Sequence, residues 1–146
     1  MNNSIAGHSG PPVFDAAIPS AISLAGRVLL SAIFILSGIG KLAAPAAIVG
    51  YIASVGLPFP QLGLVIAVCV ELLGGVALIA GYRTRLVAGG LAVFCVVTAL
   101  AFHNQLGDQN QFAHFFKNIA MTGGLLQVIA FGAGRYSLDA WRGGCG

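Results

Sequence analysis

Charge is what this chain has least of. Only 8% of its 146 residues are Asp, Glu, Lys or Arg, against roughly a quarter in soluble domains. That shortage excludes an ordinary water-facing domain. Together with 58% hydrophobic residues and a mean hydropathy of +0.92, it implies a membrane protein. The length suits one compact unit of several short spans rather than a soluble domain with an anchor. Cysteine is scarce too. Cys69, Cys95 and Cys145 form no CxxC pair, which removes any basis for thiol–disulfide exchange. Cys69 and Cys95 lie inside apolar runs and read as small buried hydrophobes. Cys145 sits in a Gly-rich tail where palmitoylation has little support. The seven basic residues give a formal charge of +3 but form no cluster, so nucleic acid is excluded as a partner. No glycine-rich phosphate loop follows a strand, and no Ser/His/Asp or Cys/His arrangement for nucleophilic catalysis is present.

What the chain does have is long apolar runs. Residues 21–40, 61–80, 86–102 and 118–132 predict four transmembrane helices, since about 20 helical residues cross a bilayer. Only helices or closed barrels satisfy their backbone groups in lipid. The fold class expected is therefore all-α, an integral membrane four-helix bundle covering residues 21–133. Residues 1–20 read as a flexible cytoplasmic leader. They carry no basic n-region, and no A-x-A site follows the first run, so that run is read as retained. Residues 134–146 read as a cytoplasmic tail. Between the first two spans, Pro45 suits a helix start and Gly56 a helix stop, with Pro58 and Pro60 blocking continuation. The dozen residues enclosed predict an interfacial or re-entrant helix. Arg83, Arg85, Arg135 and Arg142 outnumber Lys41 and Lys117, which predicts both termini on the inside of the membrane. Tyr82, Tyr136 and Trp141 would anchor the inner interface, and Tyr51, Phe59, Phe115 and Phe116 the outer one. Glycines recur in pairs where helices would touch: Gly38 and Gly40, Gly74 and Gly75, Gly89 and Gly90, Gly123 and Gly124.

Two sets of polar residues need a reason. Glu71 stands at the centre of the second span, where a carboxylate costs ~2.5 kcal/mol or more unless paired or protonated. On the first span Arg27, Ser31, Phe34, Gly38 and Lys41 share one helical face. An antiparallel second span puts Glu71 between Arg27 and Lys41 in depth. The expectation is an intramembrane polar pocket of Arg27, Lys41 and Glu71, with Arg27 reaching the carboxylate and Lys41 needing tilt or a water chain. Such a group is either a structural ion pair or a lining for protons, quinone or solute. The second set is an outer-face cluster in the 103–116 loop and just beyond it: His103, His114, Lys117 and Asn118. Their commonest role is a solvated loop capping the fourth helix. His103, Asp108 and His114 match no zinc spacing, so no metal site is assigned. Haem would need the two histidines as axial ligands, which the pattern supports weakly.

Three segments, GRVLLSAIFILSGIGKLAAP, VELLGG with the GYRTR turn, and FAHFFKNIAMTGGLL, occur in the order and spacing of the DoxX family of small bacterial membrane proteins. The chain resembles that family from Gly26 to Leu126. The resemblance implies a four-helix inner-membrane fold. It singles out Arg27, Ser37, Gly38 and Lys41, then Glu71, Gly74 and Gly75, then His114, Phe115, Lys117 and Asn118. The family is named for a subunit of a thiosulfate:quinone oxidoreductase, and relatives are associated with membrane redox and oxidative-stress complexes. By fold-level analogy this implies an accessory, non-catalytic membrane subunit of an oxidoreductase, with quinone as the cofactor to consider. The partners implied are the lipid bilayer, a redox partner subunit and a second copy of the chain. The alternatives are a small-solute or proton transporter or exporter subunit, and a membrane scaffold for a partner protein.

Overall fold

The computed structural model describes residues 13–143. The first twelve residues of the expected leader, and Cys145, lie outside the described residues. Six helices follow in order: α1 (Val13–Ala43), α2 (Pro45–Ser54), α3 (Pro60–Ala80), α4 (Thr84–Phe102), α5 (Gln109–Phe131) and α6 (Leu138–Trp141). The expected four-helix bundle is formed by α1, α3, α4 and α5. Helices α1 with α3 and α4 with α5 make the two most extensive pairings, and α3 joins them by packing on α4. The core lies between them: Phe34, Leu78, Leu91, Cys95, Met121 and Leu125 are buried together.

The outside of the bundle is as apolar as its inside. Leu29, Leu73, Leu86 and Phe131 are each at least 69% exposed, a surface that only acyl chains can cover favourably. Three helical stretches, Ile18–Ala43, Pro60–Ala80 and Thr84–Phe102, are long and apolar enough to cross a membrane. Helix α5 differs because its first turns, QNQFAHFFKN, are more polar, leaving its apolar part to residues 119–131.

Two boundaries depart from the sequence reading. From the first described residue, Val13, α1 runs through Pro19, so residues 13–20 are helix rather than leader. Hydropathy marks where the apolar run starts, whereas the helix continues beyond it. Residues 109–116, read as loop, form the first two turns of α5. Asp108 caps them, its carboxylate accepting from Gln111 N–H at 2.8 Å, the usual role of Asp before a helix. His114, Lys117 and Asn118 therefore stand on the helix instead of capping it.

The turns follow local chemistry. Pro45 and Pro60 open α2 and α3, where a missing N–H costs nothing. Gly81 ends α3 at φ +68, with Tyr82 N–H bonding Ala77 O and Gly81 N–H bonding Leu78 O. That pairing satisfies carbonyls which a helix end leaves bare. Helix α2 lies against α3 with Ile52 buried over Gly63, and Tyr51 donates to Phe102 O at 2.8 Å. This holds it across one end of the bundle.

The glycine pairs divide. A Cβ at Gly38 would lie 2.7 Å from Leu72 Cδ2, at Gly74 2.9 Å from Leu91 Cδ2, at Gly75 2.8 Å from Ile35 Cγ1 and at Gly124 3.1 Å from Leu30 Cδ2. Those four let the helices approach. A Cβ at Gly40, Gly90 or Gly123 would meet no described atom within 4 Å, because these positions face out of the bundle. Cys95 is buried, but Cys69 is exposed. Its run is apolar on every face, so sequence alone could not tell core from lipid side.

Candidate functional site

The expected polar face of α1 turns inward. Arg27 and Ser31 are fully buried, and Phe34 and Gly38 are buried below them. Two polar centres lie along this face, and a third lies at the end of α4 and on α5.

The first joins α1 to the middle of α3. Lys41 Nζ lies 2.7 Å from Glu71 Oε1 and 2.9 Å from Oε2. Ser37 Oγ donates to Oε1 at 3.0 Å and accepts from Lys41 Nζ at 2.8 Å. The carboxylate is 5% exposed and the lysine 22%. This corrects the expected partnership, since the residue reaching Glu71 is Lys41. Gly38 sits opposite Glu71 and Leu72, so Arg27, three turns away, is ~16 Å off along the axis while Lys41 is one turn away. Side chains on a helix lean toward its N-terminus, which directs Lys41 back to Ser37 and Glu71.

Arg27 forms a second centre, apart from Glu71. Its Nη1 donates to Leu78 O at 3.0 Å and Ile79 O at 2.8 Å, and Nη2 donates to Tyr136 O. The first two are carbonyls of the last turn of α3, at the negative end of the helix dipole; Leu78 O also accepts from Gly81 N–H, and Ile79 O lies past the last helical donor. Arg27 thus ties α1, α3 and the C-terminal segment together. Among the described residues Arg27 Nε and Ser31 Oγ are buried without a partner.

Beside it lies a contact that sequence reasoning missed. Asp139 accepts from Arg83 N–H and Thr84 N–H at 2.8 Å each and from Thr84 Oγ1–H at 2.7 Å, while its own N–H donates to Gly81 O. Burial disfavours the Asp139 charge, but the three donors from Thr84 and Arg83 and the nearby Arg142 outweigh it. The carboxyl is held below its ordinary range. A depressed carboxyl contributes stability above the unfolded value and loses it as pH falls through the folded one. Acidification should therefore release the C-terminal segment from the α3–α4 turn. The protection factors of the Arg83, Thr84 and Asp139 amides against hydrogen exchange, taken relative to the intrinsic rate at each pH, should fall as pH falls, and Asp139→Ala should lower them about tenfold at neutral pH. Unchanged protection in that variant would show that the segment is held by other contacts. The signal available in the sequence was the rarity of acids, one of which stands seven residues beyond the last span.

The third centre lies at the opposite end. His103 and His114 rings stack at 5.0 Å, His103 Nδ1 meets Gln111 Oε1 at 2.9 Å, and Lys117 Nζ donates to His114 Nδ1 at 3.1 Å. Asn118 Nδ2 donates to His114 O. The structure thus brings His103, His114, Lys117 and Asn118 together, and directs Asp108 to its helix cap instead. An ammonium has no lone pair to offer, so His114 Nδ1 is the acceptor and its proton sits on Nε2. Burial, Lys117 and His103 all lower the His114 pKa, which favours the neutral ring.

Comparison with known proteins fits this architecture. The DoxX family model matches residues 22–104, which covers α2, α3, α4 and most of α1, and includes Arg27, Lys41 and Glu71. The inner membrane protein YqjF of Escherichia coli (strain K12) is 35% identical over 116 residues, 80% of this chain and 88% of its own. The inner membrane protein YphA of the same organism is 32% identical over 131 residues, 86% and 93% respectively. No solved structure matches. With more than half its length matched to the family model, and with the helical bundle and apolar exterior described above, this chain belongs to the DoxX family of membrane proteins.

Proposed function

We propose that the protein is a multi-pass bacterial inner-membrane component of a quinone-linked redox or oxidative-stress system, in which Ser37, Lys41 and Glu71 meet a quinone headgroup or pass a proton. One observation carries this reading. A carboxylate that is almost fully buried midway along a 21-residue apolar helix is paired with a lysine that remains 22% exposed. The acidic side is shielded, and the basic side is reachable from the end where α2 lies. An ammonium in that position can donate to a quinone carbonyl oxygen, and Glu71 can give or take the accompanying proton. The electrons come from a redox partner subunit. Arg83, Arg85, Arg135 and Arg142 all stand at or near the α3–α4 turn end, which supports both termini lying inside.

A second reading is favoured by the completeness of the pair. Both Glu71 oxygens have donors, as a structural ion pair fixing the α1–α3 register requires. The two readings part at Glu71→Gln. The redox reading expects quinone-dependent electron transfer in native membranes to disappear while protein level and folding hold. Full activity with a lowered melting temperature would leave only the structural role.

A further inference from the structure

At the α3–α4 turn end, far from the Lys41–Glu71 pair, the fold leaves an open cavity of about 790 Å³ between the start of α4, the end of α5 and the segment leading into α6. Arg83, Arg85 and Arg135 line it, and among the described residues none of their guanidinium groups has a hydrogen-bond or ion-pair partner. The one carboxylate among the described residues of the lining, Asp139, is already engaged by three donors. The cavity is therefore a place of unspent positive charge. Apart from Ser20, Thr84 and Ser137, its remaining wall is apolar. Pro19, Ala133, Leu86 and Phe131 contribute to it, and the last two are 69% and 79% exposed on the side where acyl chains would lie. Tyr82, Tyr136 and Trp141, exposed at the same end, mark the level of the lipid headgroups.

We propose that this cavity binds the headgroup of an anionic phospholipid, its phosphate oxygens meeting Arg83, Arg85 and Arg135 and its acyl chains running down over Leu86 and Phe131. Arginine forks suit phosphate oxygens, and basic pockets between transmembrane helices at the membrane surface recognise such headgroups. A free phosphate would use the arginines alone and leave the apolar flank uncovered. The combination of charge and apolar wall selects the lipid. The site is independent of the Lys41–Glu71 centre and of any redox role.

The test is native mass spectrometry of the full chain in mild detergent, offered phosphatidylglycerol or phosphatidylethanolamine at equal mole fraction. The wild type should retain phosphatidylglycerol at least roughly tenfold better. The R83Q/R85Q/R135Q variant should fall to the phosphatidylethanolamine level, with its helicity checked by circular dichroism. Leu86→Glu, which keeps all three arginines and changes an exposed first-turn residue of α4, should lose the preference as well. Arg142→Gln, whose guanidinium stacks on Tyr82 and does not line the cavity, should keep it. Equal retention of the two lipids by the wild type, or undiminished phosphatidylglycerol binding by both the triple variant and Leu86→Glu, overturns the proposal. So does complete displacement of the lipid by millimolar inorganic phosphate, which would make this a small-anion site.

Discussion

Lys41→Met is expected to destabilise the protein by about 3–5 kcal/mol, the usual cost of removing one partner from a buried pair. The variant leaves Glu71, 4% exposed, with only the Ser37 hydroxyl, in a helix surrounded by apolar side chains and lipid. The cost comes from the stranded carboxylate more than from the lost attraction. The double variant Lys41→Met/Glu71→Leu should accordingly recover most of the loss, because replacing both charges with apolar groups is often neutral. Thermal unfolding in detergent, followed by circular dichroism, gives the comparison. A double variant no more stable than Lys41→Met would mean that the pair itself, rather than the avoidance of an unpaired charge, holds α1 on α3.

The second large effect is expected at Arg27. Arg27→Leu removes donors from Leu78 O, Ile79 O and Tyr136 O; Leu78 O keeps the Gly81 N–H, while Ile79 O and Tyr136 O each cost ~1–3 kcal/mol if left buried and unmet. It also removes a cation from the end of the α3 dipole. The sum should reach several kcal/mol, and the segment after α5 should become the first target of limited proteolysis. Arg27→Lys should fall between wild type and Arg27→Leu. A lysine carries the charge but lacks the planar fork that serves α3 and Tyr136 in two directions. If Arg27→Lys matches the wild type, charge at the end of α3 is sufficient and the fork is not needed. Protection of the segment in Arg27→Leu would assign its attachment to Asp139 alone.

The same residues mark how far the sequence could be read. The inward face of α1 was legible because helical spacing alone sets which residues share a side, and Arg27, Ser31, Phe34 and Gly38 are buried together as spacing requires. Their partners were not legible. Depth along two antiparallel helices placed Glu71 between Arg27 and Lys41, and reach favoured the longer arginine. The choice depended on the actual register, which the glycine contacts between α1 and α3 determine, and on the backward lean of helical side chains. The α2 boundaries were legible from Pro45 and Gly56, since proline and glycine act locally. The start of α5 was missed because residues 109–116 carry a polar composition, while helix formation there depends on the Asp108 cap.

By itself the sequence determined the environment and the elements. Scarce charge and long apolar runs leave a chain no stable place but the bilayer, and there the backbone must form helices because nothing else satisfies its N–H and C=O groups. Only the tertiary structure decided which charges meet. Lys41 with Glu71, Arg27 with the end of α3, and Asp139 with the turn 55 residues before it are contacts between distant segments. Their geometry follows from helix register and close approach at a few glycines, quantities that no local pattern encodes.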